Sequence, residues 1–283
     1  MAVHLPAGLA ERARALAAGE LEPAAPRDSA TVVLLRDSPA GLEAFLMRRA
    51  TSMEFAAGMH VFPGGSVEPH DADLAIAWAG PPPAEWAERL AADPPLVRAL
   101  TCAAVRETFE ETGVLLAGQA AAGGLLPATD GADWEADRRE VASGGLAFAD
   151  FLGRRVLVLR SDLIAPWAHW ITPEYEPRRF NTRFFLAALP AGQGTRDVGG
   201  EADRSAWLAP GAALDAFGRG KLAMLPPTAS VLRDLTAYPD VASALAAAGG
   251  REFRCVLPLV ALDARGARLL LPGDEGYDRP ATT

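Results

Sequence analysis

The chain has 283 residues, half of them hydrophobic and 22% charged, with a formal net charge of −9. That length sets one or two domains as the expectation, and the composition excludes wholesale disorder. The acidic balance excludes a broad basic face for nucleic acid, no stretch is apolar enough to span a membrane, and two cysteines, Cys102 and Cys255, fit a reducing compartment.

Residues 1–27 read as a short amphipathic helix carrying Leu9, Ala13 and Leu16, then a Pro/Ala linker from Pro23 to Pro26. They contain no basic region followed by an apolar run, so no signal peptide is expected and the cytoplasm is the default compartment. Two strand patterns, Thr31–Leu35 and Glu43–Met47, flank Asp37-Ser38-Pro39-Ala40-Gly41, turn chemistry that predicts a hairpin. The Gly-rich loop Phe62-Pro63-Gly64-Gly65 follows. Pro81-Pro82-Pro83 leads into a helical stretch with Trp86 and Leu90 at i, i+4, and a longer helix is predicted from about Pro95 to Thr112, closed by Gly113. Residues 117–160 read as a loop, one helix around Trp134–Val141 and an apolar run, Val156–Leu159. Strand patterns return at Trp170–Thr172, Phe180–Leu189 and Ser205–Leu208. A helix over Leu225–Leu235 and a hairpin pairing Arg254–Leu262 with Ala267–Leu271 complete the chain. Strands and helices mixed without regular βαβ alternation imply an α+β or α/β/α arrangement.

The long helix carries the chemistry. It holds Arg106-Glu107-Thr108-Phe109-Glu110-Glu111-Thr112-Gly113. Helical spacing places Glu107, Glu110 and Glu111 within an arc of about 100°, opposite Cys102, Val105 and Phe109. Three carboxylates side by side repel one another, and a divalent cation would neutralise them; oxygen-only ligands favour Mg²⁺ or Mn²⁺ over Zn²⁺. An exposed acidic helix face is the ordinary alternative. Gly113, the upstream diglycine, and Ala103 and Ala104, expected to keep the acidic face clear of bulk, count against it. The amides of Gly64 and Gly65 could receive phosphate oxygens or orient the acidic helix.

The pattern resembles the Nudix box, G-x5-E-x7-R-E-U-x-E-E-x-G-U with U aliphatic. Gly65 fills the first glycine and Asp71 stands where the family has Glu. Arg106, Glu107, Glu110, Glu111, Gly113 and Val114 match the second half, and Thr108 replaces an aliphatic residue. Residues 72–105 stand where the family has seven. A box split in this way resembles the nucleoside diphosphate-linked moiety X motif 19 subfamily, coenzyme A diphosphatases. Further matches are Gly58-x3-Phe62-Pro63-Gly64-Gly65, Trp170-Ile171-Thr172-Pro173, Arg179-Phe180-Asn181-Thr182-Arg183-Phe184-Phe185 and Leu225-Pro226-Pro227-Thr228. Glu54 takes the place where coenzyme A-type members often carry an arginine.

The resemblance implies a Nudix-type α/β/α sandwich with a mixed sheet and helical insertions. It also implies one domain over 28–283, with the box split at about 72–98, and hydrolysis of a diphosphate in a nucleoside diphosphate-linked small molecule. It implies Glu107, Glu110 and Glu111 as metal ligands and catalytic groups, with Arg106 aiming or pairing with the carboxylates and loop carbonyls. Glu201, in Gly199-Gly200-Glu201, is a further candidate ligand or base, and Asp71 is expected to brace the loop. Gly64, Gly65, Arg48, Arg49 and Arg179 are candidate substrate contacts, with Arg178 and Arg183 beside them. Trp167, Trp170 and Tyr175 read as core rather than as platforms for a base. The histidines show no metal-ligand spacing, and neither cysteine reads as a nucleophile. The insertion, with Trp78, Trp86 and Leu90, is expected to pack on its own domain or on a second copy in a homodimer. Coenzyme A or acyl-coenzyme A is the leading substrate. An ADP-ribose, nucleotide-sugar or NADH pyrophosphatase is the alternative enzyme, and a catalytically silent nucleotide-binding regulator is the alternative of another class. No nucleic acid or membrane partner is expected.

Overall fold

The computed structural model describes residues 3–51, 56–119, 124–196, 202–263 and 266–277. An eight-stranded mixed sheet runs through the middle. Its order is Ala202–Leu208, Gly41–Arg49, Arg27–Ser38, Phe180–Ala188, Ile164–Ile171 and Cys255–Val256; short strands His60–Val61 and Gly64–Ser66 pair with Gly41–Arg49 and Arg27–Ser38. Phe180–Ala188 runs parallel to Arg27–Ser38, and Cys255–Val256 parallel to Ile164–Ile171.

Both sheet faces are covered, which explains the unbroken apolar run Thr31–Leu35. Ala30, Val32 and Leu34 meet the long helix Pro94–Thr112 and the helix Phe148–Arg154. Val33 and Leu35 meet the helices Pro226–Leu235 and Val241–Gly250. The result is the expected α/β/α sandwich. The hairpin Arg27–Ser38/Gly41–Arg49, the helix Pro83–Leu90, the helix Ala132–Ala142 and the helix Pro226–Leu235 also match the sequence reading.

The insertion packs on its own domain. Trp78 and Trp86 join the core cluster under the long helix, and Leu90 is fully buried. The N-terminal helix, Ala7–Ala17, buries Ala13 against Tyr175 and Leu269. A short strand before it, Val3–His4, pairs with Gly266–Leu270. Among the described residues no helix is long and apolar enough to cross a membrane.

Three helices escape the sequence reading: Phe148–Arg154, Pro210–Gly218 and Val241–Gly250. The last reads Val-Ala-Ser-Ala-Leu-Ala-Ala-Ala-Gly-Gly, whose small residues lie on the sheet without the polar–apolar contrast that marks an amphipathic helix. The final hairpin is shorter than expected. Pro258 offers no N–H to a ladder, so Cys255–Val256 joins the central sheet and only Leu259–Asp263 pairs with Gly266–Leu270.

Candidate active site

The long helix starts cleanly. Asp93 accepts a hydrogen bond from the Leu96 amide at 2.9 Å, and Pro94 and Pro95 occupy the first turn, where an N–H has no partner anyway. It ends at Gly113, whose φ of 74° is the left-handed conformation that glycine adopts most readily. Between these ends the helix is buried nearly all round. Buried Thr101, Thr108 and Thr112 each donate a hydroxyl to the carbonyl four residues back. That satisfies Thr108 and lets it stand in the aliphatic position of the box. Ala103 and Ala104 are also fully buried. The expectation that they keep the acidic face clear does not hold: both are packed into the core under the sheet, where their small size lets the helix sit close.

Glu107, Glu110 and Glu111 are the partly exposed residues of the last two turns. Arg106, itself buried, organises them. Its Nε and Nη2 hold both oxygens of the fully buried Asp71 at 2.9 and 3.0 Å. Its Nη1 reaches Glu107 at 2.9 Å and Glu110 at 3.2 Å, and Nη2 reaches the Ser66 carbonyl at 3.1 Å. Asp71 in turn accepts the Glu68 amide at 2.8 Å. The two halves of the split box are thus clamped together through Arg106 and Asp71.

The Gly64 amide donates to Glu111 Oε2 at 2.8 Å, so this N–H holds the helix and is not offered to a phosphate. Gly65 lies against Glu107, with no room for a side chain between them. At the other end Arg138 donates to the Glu110 carbonyl at 2.5 Å and the Arg196 amide to the Thr112 carbonyl at 2.9 Å. Sequence reasoning missed both arginines. The i, i+3 pairing of Glu135 with Arg138 was the available signal.

One guanidinium serves three carboxylates here. Burial raises the Glu107 carboxyl to about 7, opposed by Arg106 and reinforced by Glu110. Burial raises the Glu110 carboxyl as well, with Arg106 again opposing. Burial alone would lower Arg106, but Asp71, Glu107 and Glu110 hold it firmly charged. An all-oxygen donor set with surplus negative charge fits a hard divalent cation. Among the described residues no three carboxylate, histidine or cysteine side chains are arranged around one point to hold a metal ion, because these carboxylates turn toward Arg106 and Gly64.

The other candidates separate. Arg48 pairs with Asp203 through two contacts of 2.7 and 2.5 Å, across the two outermost strands, and Arg49 ends its strand opposite Ala202. Arg179 is a correction. It is buried, and its guanidinium donates to the carbonyls of Thr172 and Ala24 at 3.0 and 2.7 Å, so it braces a loop rather than facing substrate. Arg178 is exposed, and buried Arg183 pairs with Asp28 at 2.9 Å. Trp167, Trp170 and Tyr175 are buried. His169 is buried, which lowers its pKa to about 4. Cys102 is buried with its thiol pushed up by that burial. Glu201 and Glu54 lie outside the described residues.

An α/β/α sandwich with this acidic helix clamped to a diglycine loop defines a Nudix hydrolase. A family model, the NUDT19 Nudix domain, matches residues 84–235, more than half of the chain, and the chain belongs to that family. It is similar to acyl-coenzyme A diphosphatase NUDT19 of Gallus gallus, 28% identical over 89% of this chain and 79% of that protein. The protein of the same name from Homo sapiens is 28% identical over 86% of this chain and 74% of its own. The crystal structure of a Nudix hydrolase from Alicyclobacillus acidocaldarius matches with a TM-score of 0.66 and 30% identity, over 78% of this chain and 96% of that one. The silent-regulator alternative required a lost carboxylate in the box, and Glu107, Glu110 and Glu111 are all present.

Proposed function

We propose that this Nudix hydrolase cleaves the diphosphate of coenzyme A or an acyl-coenzyme A, with Mg²⁺ or Mn²⁺ as cofactor. The observation that carries the reading is the surplus of carboxylates around Arg106, in a chain whose relatives are named acyl-coenzyme A diphosphatases. Glu107, Glu110 and Glu111 would hold the cation, which supplies charge neutralisation at the diphosphate and a more acidic water. Arg106 touches no substrate; it is a positioning residue that fixes Glu107 and Glu110 and ties them through Asp71 to the loop. The Gly64 amide aims Glu111. Burial raises the Glu107 carboxyl to about 7, so a cation held there would compete with a proton near neutral pH. Arg48 and Arg49, on the strand beside the box loop, are the basic groups proposed to meet substrate phosphates, a contact for which Arg48 would have to leave its pair with Asp203.

The test is kcat/KM for coenzyme A, an acyl-coenzyme A, ADP-ribose and NADH under one metal condition, with products identified. Coenzyme A compounds should give 4′-phosphopantetheine species and adenosine 3′,5′-bisphosphate. A preference of tenfold or more for ADP-ribose or NADH, about 1.4 kcal/mol in the transition state, overturns the reading.

A further inference from the structure

The long helix Pro94–Thr112 carries Glu110 and Glu111 in its last turn, where backbone carbonyls have no partner within the helix. Three donors from outside the box close this end. Arg138 Nη1 donates to the Glu110 carbonyl at 2.5 Å, the Arg196 amide to the Thr112 carbonyl at 2.9 Å, and the Thr129 hydroxyl to the Gly113 carbonyl at 2.7 Å. Just beyond, the Gln193 side chain pairs with the Leu115 backbone in both directions, at 2.9 and 3.1 Å.

Arg138 differs from the other two. It is a buried charge, and the carbonyl it meets belongs to one of the three clustered carboxylate residues. Its Nε and Nη2 hold both oxygens of Glu135 at 2.9 and 2.7 Å, a fork that pushes the Glu135 carboxyl down to about 2. That pair is complete without Nη1, which reaches across to the acidic helix. Glu135 also lies 3.7 Å from Arg196 Nη2, and a methyl group on Gly113 would fall 2.3 Å from that same nitrogen. The helix end is thus enclosed on two sides by arginines that share one carboxylate.

Adhesion between the helices does not depend on Arg138. Phe109 stacks on Phe151 with ring centres 4.9 Å apart, and Trp134 meets Phe151 edge-on at 6.1 Å. The arginine adds placement. Arg106 and the Gly64 amide grip the side chains of Glu107, Glu110 and Glu111, and carboxylates that turn to a cation must loosen those grips. Arg138 grips the backbone, so its hold persists whichever way the carboxylates face. Helix ends fray, and a carbonyl fixed from outside keeps the Glu110 backbone, and with it Glu111, in register with Glu107.

We infer that Arg138 is a positioning residue for the metal site: through the Glu110 carbonyl it sets where Glu110 and Glu111 stand relative to Glu107. This rests on the reading of those carboxylates as the metal-holding groups. The helix Ala132–Ala142, outside the box in sequence, thereby serves the box chemistry. Loss of Arg138 lets the last turn fray, so the cation must reorder it on binding, and affinity for the cation falls. Once the cation is bound the carboxylates are back in place, and turnover is largely kept.

The test uses the full chain freed of metal with EDTA. It reads Mg²⁺ binding by calorimetric titration and Mg²⁺ activation on the best diphosphate substrate. We expect Arg138→Met, which keeps the apolar stem, to weaken both Mg²⁺ constants about tenfold. Its kcat at saturating Mg²⁺ should stay within about threefold of wild type. Leu152→Ala truncates the same core on the helix Phe148–Arg154 without removing a donor to the acidic helix. It should lower the melting temperature and leave the Mg²⁺ constants within about twofold of wild type. Unchanged Mg²⁺ constants in Arg138→Met overturn this inference and leave the metal reading standing, and so does an equal weakening in Leu152→Ala. If Arg138→Met does not fold, Thr129→Val, which removes only a hydroxyl donor to the same helix end, should weaken Mg²⁺ binding about threefold, and a wild-type constant overturns the inference. A wild-type chain that neither binds nor responds to Mg²⁺ or Mn²⁺ overturns the metal reading and this inference with it.

Discussion

Glu107 lies so close to Gly65 that a methyl group on the glycine would fall 2.3 Å from a carboxylate oxygen. The glycine is therefore required by a neighbour distant in sequence rather than by its own turn. In Gly65→Ala the strand keeps its pairing with Ala30, and Glu107 must swing away from the loop. A catalytic group displaced by about 1 Å loses on the order of 10²-fold in rate. We expect kcat to fall by about that factor, with a melting temperature within a few degrees of wild type. A wild-type kcat in this variant contradicts the role given to Glu107.

The same carboxylate makes stability depend on pH. The Glu107 carboxyl is raised from 4.5 to about 7 in the folded protein. Between those values the folded state binds more protons than the unfolded state, so stability is lost as pH rises through that window. The loss is at most about 3 kcal/mol and levels off above pH 7. Urea denaturation in EDTA from pH 4.5 to 8.5 should show it, and Glu107→Gln should flatten the slope. Added Mg²⁺ should restore stability at pH 8 more than at pH 5, because the cation competes with a proton at low pH. Identical pH slopes for wild type and Glu107→Gln contradict this.

Glu111→Gln separates charge from architecture. A glutamine oxygen can still accept the Gly64 amide, now at 2.8 Å from Glu111, so the helix stays docked. One negative charge is lost from the acidic face. We expect kcat/KM on the best diphosphate substrate to fall by about 10²-fold or more, with a weaker response to Mg²⁺ in titrations. Turnover at the wild-type rate contradicts the assignment of this face as the metal site.

Much of this was legible in the sequence because it is local. Helical spacing alone put Glu107, Glu110 and Glu111 on one face, and Gly113 marked the helix end. The clamp was less legible. Asp71 and Arg106 sit on opposite sides of the insertion, and only folding brings their charges within 3 Å. Ala103 and Ala104 misled because a small residue leaves space in sequence but marks close packing in a sandwich. Val241–Gly250 stayed hidden because alanine and glycine carry almost no periodic contrast. The two faces of Arg27–Ser38, both apolar, concealed which side the acidic helix would take.

Arg179 shows where residue type alone fails, and it yields the last prediction. An arginine beside a strand in a phosphate-handling enzyme reads as a substrate contact. Here its guanidinium is buried and joins the Thr172 carbonyl to the Ala24 carbonyl, tying the linker before Arg27–Ser38 to the loop after Ile164–Ile171. Arg179→Ala leaves both carbonyls short of a charged donor in a buried place, at a cost of about 1.5–3 kcal/mol. Arg48 lies at the outer strands and pairs with Asp203, so Arg48→Ala removes only a solvent-screened surface pair. The two variants should therefore split. Arg179→Ala should lower the urea midpoint and leave KM for the diphosphate substrate within about twofold of wild type, while Arg48→Ala should raise KM with little change in the midpoint. A raised KM with unchanged stability in Arg179→Ala would restore it as a substrate contact.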